Sequence, residues 1–263
     1  MLKNKYPIYI LSKGRASNCV SANNLYADNY DNFKIVVEPQ DYNAYKFYFD
    51  EINLLQMDKN DMGIAYVRNF IKNNAKGFKY HWALDDDLRF KKRYYGKNRT
   101  YNNDGTPVSP VEMFCEIEDY VDKYSNIAIA GLRNSAFAFS FDGKDKISFN
   151  KQIASCALIK TNIPAKYENN IIEDTDFSMQ VLNKNYCTVI FNKLLFDNPP
   201  QGKVAGGNTG DIYHNKITKL QQALSDKWKC FDIQLLEGKS IPSRIKPSRI
   251  WGTFKQRPIP YES

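Results

Sequence analysis

Three consecutive aspartates follow a short apolar run in the first third of the chain. The run Tyr-His-Trp-Ala-Leu at 80–84 has the composition of a buried strand, and Asp85, Asp86 and Asp87 come directly after it. Neighbouring carboxylates repel one another and are costly to bury without a counter-ion. Magnesium and manganese prefer oxygen ligands and commonly bind one or two carboxylates together with substrate phosphates. The cluster therefore indicates a divalent-cation site; an acidic turn that only caps the next element has the same composition.

A second acidic group, Glu173, Asp174 and Asp176, opens a stretch in which apolar residues at 177, 181 and 182 have helical spacing. A carboxylate within hydrogen-bond reach of a hydroxyl group can take its proton as a general base. Acidic residues are also favoured at a helix start by the helix dipole alone. Both interpretations are open at this point.

Cations lie at the end of the first predicted strand. The turn Ser-Lys-Gly-Arg at 12–15 follows the apolar run 7–11 and contains Lys13 and Arg15. A turn at a strand end presents backbone amides and side-chain cations to an anion, so phosphate is the ligand that it would suit. A solvated basic turn is the alternative.

The elements that must position these residues alternate between strand and helix. Strands are predicted at 7–11, 33–37, 52–56, 80–84, 126–131, 136–141, 152–160 and 186–196, the last as an antiparallel edge. Helices are predicted at 18–29, 41–49, 62–76, 109–124, 170–183 and 215–227. This alternation predicts an α/β fold with a Rossmann-type mixed sheet, mainly parallel and flanked by helices. Because ligands bind beyond the carboxyl ends of such strands, the turn 12–15 and the three aspartates should share one crevice that suits a nucleotide.

The 263-residue chain carries a net charge of +8 (37 basic minus 29 acidic residues), and 14% of its residues are aromatic. This balance favours a polyanionic partner. Two basic stretches are candidate DNA contacts, since lysine and arginine bind phosphates and tyrosine can stack on bases. The candidates are Arg89, Lys91, Lys92, Arg93, Lys97 and Arg99 in a predicted loop at 89–105, and Arg244, Lys246 and Arg249 in the tail from 238. Two solvated basic loops would look the same.

The five cysteines are far apart, and the sequence contains no CxxC pair and only two histidines, which argues against a zinc site. The first residues lack the apolar core of a signal peptide, and no apolar run approaches the roughly 20 residues that cross a bilayer. The expectation is a soluble, cytoplasmic protein without a membrane partner.

Three ordered motifs are similar to those of GT-A glycosyltransferases. The segment Gly63-Ile-Ala-Tyr-Val-Arg68-Asn69 precedes the three aspartates, and Glu173-Asp174-x-Asp176-Phe177 follows later, so the resemblance covers about residues 7–190. The general helix pattern has alanine where Val67 stands, a change that a helix tolerates. Two further segments, Tyr-Ile-Leu-Ser-Lys-Gly-Arg at 9–15 and Glu38-Pro39, resemble more narrowly those of the TET-associated glycosyltransferases of bacteriophages. That family is proposed to glycosylate 5-hydroxymethylated pyrimidines in DNA.

The resemblance implies a role for each candidate residue. It places Asp87 on the metal, with Asp85 and His214 as further ligands, and makes Asp174 the general base with Glu173 beside it. The donor-binding residues are then Ser12, Lys13, Arg15, Glu38, Gly63, Arg68, Asn69, Asp85 and Asp86. A glycine-rich stretch at 206–210 could let backbone amides approach a sugar or phosphate.

The function that follows is a metal-dependent glycosyltransferase. It would use Mn²⁺ or Mg²⁺ and a UDP-sugar, and transfer the sugar with inversion to a hydroxymethylated pyrimidine of phage DNA. The expected organisation is one domain, with a nucleotide-sugar half at 1–105, an acceptor half at 106–237 and a basic tail at 238–263. Two alternatives stay open: the same donor site acting on a polysaccharide, lipid or protein, and a non-catalytic nucleic-acid-binding protein on this scaffold. The sequence leaves open the sugar, the choice between hydroxymethylcytosine and hydroxymethyluracil, and the oligomeric state.

Overall fold

The structure is a computed structural model that describes residues 3–93, 106–138, 146–199, 211–236, 243–245 and 249–262, with the backbone alone at 211–215, 244 and 249. Its strands are β1 (Ile8–Leu11), β2 (Phe33–Val37), β3 (Leu54–Gln56), β4 (Tyr80–Asp85), β5 (Arg89–Lys92), β6 (Thr106–Pro107), β7 (Ile127–Asn134), β8 (Ile147–Phe149), β9 (Cys156–Lys160), β10 (Cys187–Asp197), β11 (Ile233–Leu235) and β12 (Ser243–Ile245). Its α-helices are α1 (Val20–Ala27), α2 (Tyr42–Lys46), α3 (Ile64–Asn74), α4 (Pro110–Val121), α5 (Glu173–Asn183) and α6 (Asp211–Trp228).

One large sheet joins the two predicted halves of the chain. Its order is β3-β2-β1-β4-β9-β7-β10-β5-β6, with β8 paired to β10. Of the ten strands described in this sheet, β1, β2, β3, β4, β6, β7 and β10 run in one direction, whereas β5, β8 and β9 run in the other. The predicted mixed sheet with mainly parallel strands is therefore confirmed, and the carboxyl ends of β1, β2 and β4 meet at one edge.

Helices cover both faces of the sheet because successive strand residues alternate between the faces. In β4, Tyr80, Trp82 and Leu84 pack with residues of α1, α2 and α4 in one core. Ala83 packs with residues of α3 and α5 in the other. Both faces of the central strands are thus buried, which explains why these strands read as continuous apolar runs.

Three strand assignments differ from the sequence prediction. A strand was predicted at 136–141, but Ser135–Phe137 form a short 3₁₀ helix, and 139–141 lie outside the described residues. The prediction of β10 as an antiparallel edge was wrong: β10 lies between β7 and β5 and pairs with β7 in parallel. The region 89–105 was predicted to be a loop, but it begins with β5, whose Phe90 is buried. A single buried aromatic between charged residues is too weak a signal for a strand, and pairing with β10 supplies the rest.

The C-terminal segment 249–262 packs against the connection between α4 and β7. The backbone N–H of Ser125 donates to the Ile259 carbonyl at 2.8 Å, and the Tyr261 N–H donates to the Lys123 carbonyl at 3.1 Å. The side-chain amide of Asn126 donates to the Arg257 carbonyl at 2.9 Å. The end of the predicted basic tail is therefore an integral part of the described fold.

Candidate active site

A cleft of about 800 Å³ opens at the edge where the parallel strands end. Its walls are the residues that follow β1, β2 and β4, the first turn of α3, the segment 152–155 before β9, and the segment 168–174 that leads into α5. The predicted turn 12–15, the three aspartates and the acidic start of α5 thus share one cavity. Sheet topology brings these motifs together although the turn 12–15 and the start of α5 are about 160 residues apart in the sequence.

Asp86 also lines this cleft, but its carboxylate is bonded to side chains of the turn after β1. Its carboxylate accepts a hydrogen bond from the Ser12 hydroxyl at 2.5 Å and from an Arg15 Nη1 donor at 2.7 Å. The Ser12 hydroxyl also lies 2.5 Å from the Tyr45 hydroxyl. Burial raises the pKa of Asp86, and Ser12 and Arg15 oppose that shift by bonding the charged form. These bonds hold the tip of β4 in place. Because Ser12 and Asp86 both line the cleft, their role in donor binding stays a prediction.

Asp85 and Asp87 are the aspartates whose carboxylates remain available to a cation. Their side chains are 32% and 19% exposed, and both line the cleft. Burial raises the pKa of Asp87, and the neighbouring charge of Asp85 raises it further. Arg15 lies 3.0 Å from Asp87 and compensates part of this repulsion. The arrangement fits a divalent cation, which would relieve the repulsion between the two carboxylates.

The described residues contain no group of three or more histidine, cysteine or acidic side chains placed to hold a metal on their own. Two carboxylates with an open side instead match a cation that shares its ligands with substrate phosphates. The side chain of the predicted third ligand, His214, lies outside the described residues, as does the glycine-rich stretch 206–210.

A buried arginine connects the two acidic clusters. Arg68 is 7% exposed, and its guanidinium lies 3.4 Å from Asp85 and 3.4 Å from Glu173. The same guanidinium lies 5.7 Å from the ring centroid of Tyr167, which stacks on Phe177 at 4.0 Å. The tip of β4 and the start of α5 are thus held at a fixed separation by one cation that also lines the cleft.

Glu173 and Asp174 lie in different surroundings although they are adjacent. The pKa of Glu173 is raised to about 7, mainly by burial and then by the charge of Asp174, while Arg68 opposes the shift. Asp174 accepts hydrogen bonds from the Gln152 amide at 3.0 Å and from the Thr175 backbone N–H at 2.6 Å. Both donors hold the Asp174 carboxylate in one orientation, as a general base requires. Gln152 was not a predicted site residue.

The raised pKa of Glu173 predicts a pH-dependent stability. In the unfolded chain Glu173 loses its proton near pH 4.5, whereas in the folded chain it keeps the proton until about pH 7. As the pH rises from 4.5 to about 7, the contribution of Glu173 to the free energy of unfolding therefore decreases by roughly 1.4 kcal/mol per pH unit. Replacing Glu173 with Gln should raise that free energy by about 2–3 kcal/mol more at pH 8 than at pH 5. Urea unfolding in EDTA measures the difference.

Glu168→Gln is the matched control for this experiment, because Glu168 lines the same cleft with a side chain that is 54% exposed. Its difference from the wild type should vary little between the two pH values. An equal effect of Glu173→Gln at pH 5 and pH 8 would contradict the assigned pKa.

Lys13, Glu38 and Asp61 form the far wall of the cleft. The Lys13 ammonium lies 2.9 Å from the nearly buried Glu38 carboxylate and 2.5 Å from Asp61. Glu38 also accepts a hydrogen bond from the Gln40 amide at 2.5 Å. Gly63, next along this wall, has a φ of +82°, a conformation that side chains disfavour, and precedes α3. All predicted donor residues except Asn69 line the cleft: Ser12, Lys13, Arg15, Glu38, Gly63, Arg68, Asp85 and Asp86.

Asn69 has a different environment from its neighbour Arg68. Its amide donates to the Tyr167 carbonyl at 2.8 Å, and its carbonyl accepts the Tyr167 N–H at 3.2 Å. Both ends of the side chain are therefore used to fix the segment before α5. We reassign Asn69 from donor binding to positioning Tyr167, which in turn lies against Arg68.

The predicted DNA contacts in the first basic stretch separate into three groups. Arg93 is 2% exposed and donates to the Ala138 carbonyl, so it does not face a DNA strand. Lys91 pairs with Asp197, and Lys92 lies 3.1 Å from Glu116. Arg89 is exposed. The remaining predicted contacts lie outside the described residues: Lys97, Arg99 and Lys246 entirely, and Arg244 and Arg249 by their side chains.

Comparison with solved structures identifies the fold. A mannosyltransferase from Pyrobaculum calidifontis, PcManGT, solved with GDP-Man and Mn²⁺, superimposes with a TM-score of 0.56 at 10% identity, covering 86% of this chain and 65% of that one. GalNAc-T7, solved with UDP, GalNAc and Mn²⁺, gives a TM-score of 0.52 at 9% identity, covering 86% of this chain and 49% of that one. This chain thus spans less than two thirds of either neighbour. The fold is that of GT-A glycosyltransferases.

The family is shown by the sequence itself. The model of the TET-associated glycosyltransferase family matches residues 6–207, which is more than three quarters of the chain. The protein belongs to this family. A search among curated proteins found no match. Within the parts of the chain that the structure describes, no helix combines the length and the apolar character needed to cross a membrane.

Proposed function

We propose that this protein is a metal-dependent glycosyltransferase that moves a sugar from a UDP-sugar to a hydroxymethylated pyrimidine base of DNA, with inversion at the anomeric carbon. The observation that carries the proposal is the single cleft that joins Asp85 and Asp87 to Glu173 and Asp174. A donor diphosphate at the first pair would place its sugar toward the second pair.

The donor side follows from charge and position. Asp85 and Asp87 would hold Mn²⁺ or Mg²⁺, and when bound the cation would neutralise the charge that develops on the departing diphosphate. Arg15 and Lys13 add positive charge at the end of β1, and Glu38 at the end of β2 is a buried acceptor for a ribose or base donor. The solved neighbours hold UDP or GDP-Man with Mn²⁺, which supports a nucleotide-sugar donor.

The transfer itself needs a base on the acceptor side. The oxygen of the hydroxymethyl group forms a bond to the anomeric carbon while the bond from that carbon to the diphosphate oxygen breaks. The proton of the hydroxyl group passes to Asp174, and the electron pair leaves with the diphosphate. One displacement inverts the anomeric centre. Gln152 and the Thr175 N–H orient the Asp174 carboxylate for this step.

The DNA acceptor is supported by the family name and by the net charge of +8. A target base within a duplex would have to leave the stack to enter a cleft of this kind. Single-stranded DNA avoids the free-energy cost of unstacking the base, so it is the first substrate to test.

The test combines two assays. Hydrolysis of a panel of UDP- and GDP-sugars is measured with and without Mn²⁺, and nucleosides from 5-hydroxymethylcytosine or 5-hydroxymethyluracil DNA are then analysed by mass spectrometry. We expect Mn²⁺-dependent hydrolysis and a base heavier by one sugar. Hydrolysis without any modified nucleoside would assign the donor site but reject the DNA acceptor in favour of a polysaccharide, lipid or protein. Absence of both activities across the panel would contradict the proposal.

A further inference from the structure

A second, smaller pocket of about 290 Å³ lies outside the cleft, between β8 and the C-terminal segment. Three rings line it: Phe149 from β8, and Trp251 and Phe254 from the C-terminal segment. Three cations share the same wall: Lys151, Lys255 and Arg257. Alternating rings and cations are the composition that grips a single nucleic-acid strand, since rings stack on bases while cations bind phosphates.

The charge of this pocket has one sign. Its described lining contains no carboxylate, and Lys151, Lys255 and Arg257 are all exposed. The Lys255 ammonium donates to the Gly252 carbonyl at 2.6 Å, and the Arg257 guanidinium lies 5.1 Å from the Phe149 ring centroid. Neither contact neutralises a positive charge, so the pocket attracts an anion.

The walls of the pocket are fixed by hydrogen bonds rather than formed by a loose tail. The buried Asn150 side chain donates to the carbonyls of Phe254 and Gln256 at 3.1 and 3.0 Å. The Gln256 amide in turn donates to the Leu182 carbonyl at the end of α5, at 2.8 Å. A pocket that is already ordered loses less conformational entropy when it binds.

The segment between β8 and β9 links this pocket to the cleft. Residues 147–149 and 151 line the pocket, and Gln152, Ala154 and Ser155 line the cleft. Gln152 bonds the carboxylate of Asp174, so the pocket begins one residue away from a direct partner of the general base. A DNA strand bound in the pocket would therefore extend into the cleft on the side where Asp174 lies.

We propose that this pocket binds the acceptor strand of DNA next to the target base, with a nucleotide base against Trp251 and Phe254 and backbone phosphates on Lys151, Lys255 and Arg257. The volume is near the lower limit of small-molecule sites, about 300 Å³, which suits one nucleotide unit and not a bulky partner. This inference rests on the DNA acceptor of the proposed function, and it adds a surface that the donor site does not need.

The test measures binding of a fluorescent single-stranded oligonucleotide of about 12 nucleotides, within the size range of such sites. The double variant Lys151→Glu/Lys255→Glu should weaken binding at least tenfold at 100 mM salt, and lower the slope of log K against log salt by about 1.4, for two lost phosphate contacts. Mn²⁺-dependent hydrolysis of the nucleotide sugar should be unchanged. The control Lys3→Glu/Lys76→Glu alters the net charge equally at two exposed lysines outside both pockets, and should weaken binding less than threefold.

A second measurement tests stacking with little risk to folding. Oligonucleotide binding should quench the fluorescence of Trp251, and Trp251→Phe, which keeps a ring in the pocket, should remove that quenching while binding persists. Equal losses in the two double variants would overturn the proposal, as would unchanged binding in Lys151→Glu/Lys255→Glu. A wild-type protein that hydrolyses the donor but does not bind the oligonucleotide would overturn it while leaving the donor assignment intact. Binding through the pocket without any sugar transfer would support the pocket and contradict the proposed function.

Discussion

Asp174→Asn is expected to bind the nucleotide sugar with wild-type affinity and to transfer the sugar about 10²–10⁴ times more slowly, the usual contribution of a general base. Asparagine has the shape of aspartate but cannot accept the proton of the acceptor hydroxyl group. Its carbonyl can still accept the Thr175 N–H, and the Gln152 amide can turn its oxygen toward the new NH₂ group, so the local fold is retained. Calorimetry with the donor and single-turnover transfer rates separate the two effects.

The control for this variant is Glu168→Gln, which removes a carboxylate from the same cleft at an exposed position that pairs with Lys227. Its transfer rate should stay within about threefold of the wild type, because exposed ion pairs contribute only about 0–1 kcal/mol. A transfer rate of Asp174→Asn equal to that of Glu168→Gln would remove Asp174 from the mechanism and leave its acidic helix start as a feature of the fold.

Asp87→Asn is expected to abolish the Mn²⁺ dependence of donor binding. Asp87 contributes half of the carboxylate pair that faces the cleft, and a neutral amide neither repels Asp85 nor attracts a cation strongly. Since a bound cation stabilises charge on phosphate oxygens by several kcal/mol, the Mn²⁺-dependent affinity should fall at least about 100-fold. Titration of the nucleotide sugar with Mn²⁺ and with EDTA measures the change, and Mn²⁺ binding by electron paramagnetic resonance gives a readout independent of turnover.

Asp86→Asn is the matched control, one residue away in the same cluster. Its carboxylate bonds Ser12 and Arg15, so the substitution should lower the free energy of unfolding by about 1–3 kcal/mol and leave Mn²⁺ binding largely intact. Loss of Mn²⁺ binding in Asp86→Asn with retention in Asp87→Asn would reverse the roles that the structure gives to the two aspartates.

The sequence contained much of the site because strand ends are marked by simple patterns. The apolar run that becomes β4 ends where the carboxylates begin, and the turn after β1 and the start of α5 carry their own charged residues. The period of two along β4 even separates the aspartates: Asp85 follows Ala83 toward α3 and α5, and Asp86 follows Leu84 toward α2. That periodicity was available in the sequence, but the contact between Asp86 and the turn after β1 also depends on the pairing of β1 with β4, which the sequence does not show.

Long-range contacts explain what could not be predicted. Asn69 adjoins Arg68 in the motif, yet its partner Tyr167 lies 98 residues away. Gln152 is an uncharged residue at the start of a predicted strand, and only the position of α5 beside it makes it a partner of Asp174. Arg93 carries the charge of a phosphate contact but is buried where β5 meets β10. Composition reports the charge of such residues and not their partners.

The hydrogen bonds between the sheet and the C-terminal segment have a practical consequence for where this protein can be cut. The family match ends at residue 207, but Asn126 and Asn150 use carbonyls at 254–257 as acceptors. A chain shortened to the matched region would expose the face that 249–262 covers and leave these amides to water. Expression boundaries for biochemical work should therefore extend through residue 262.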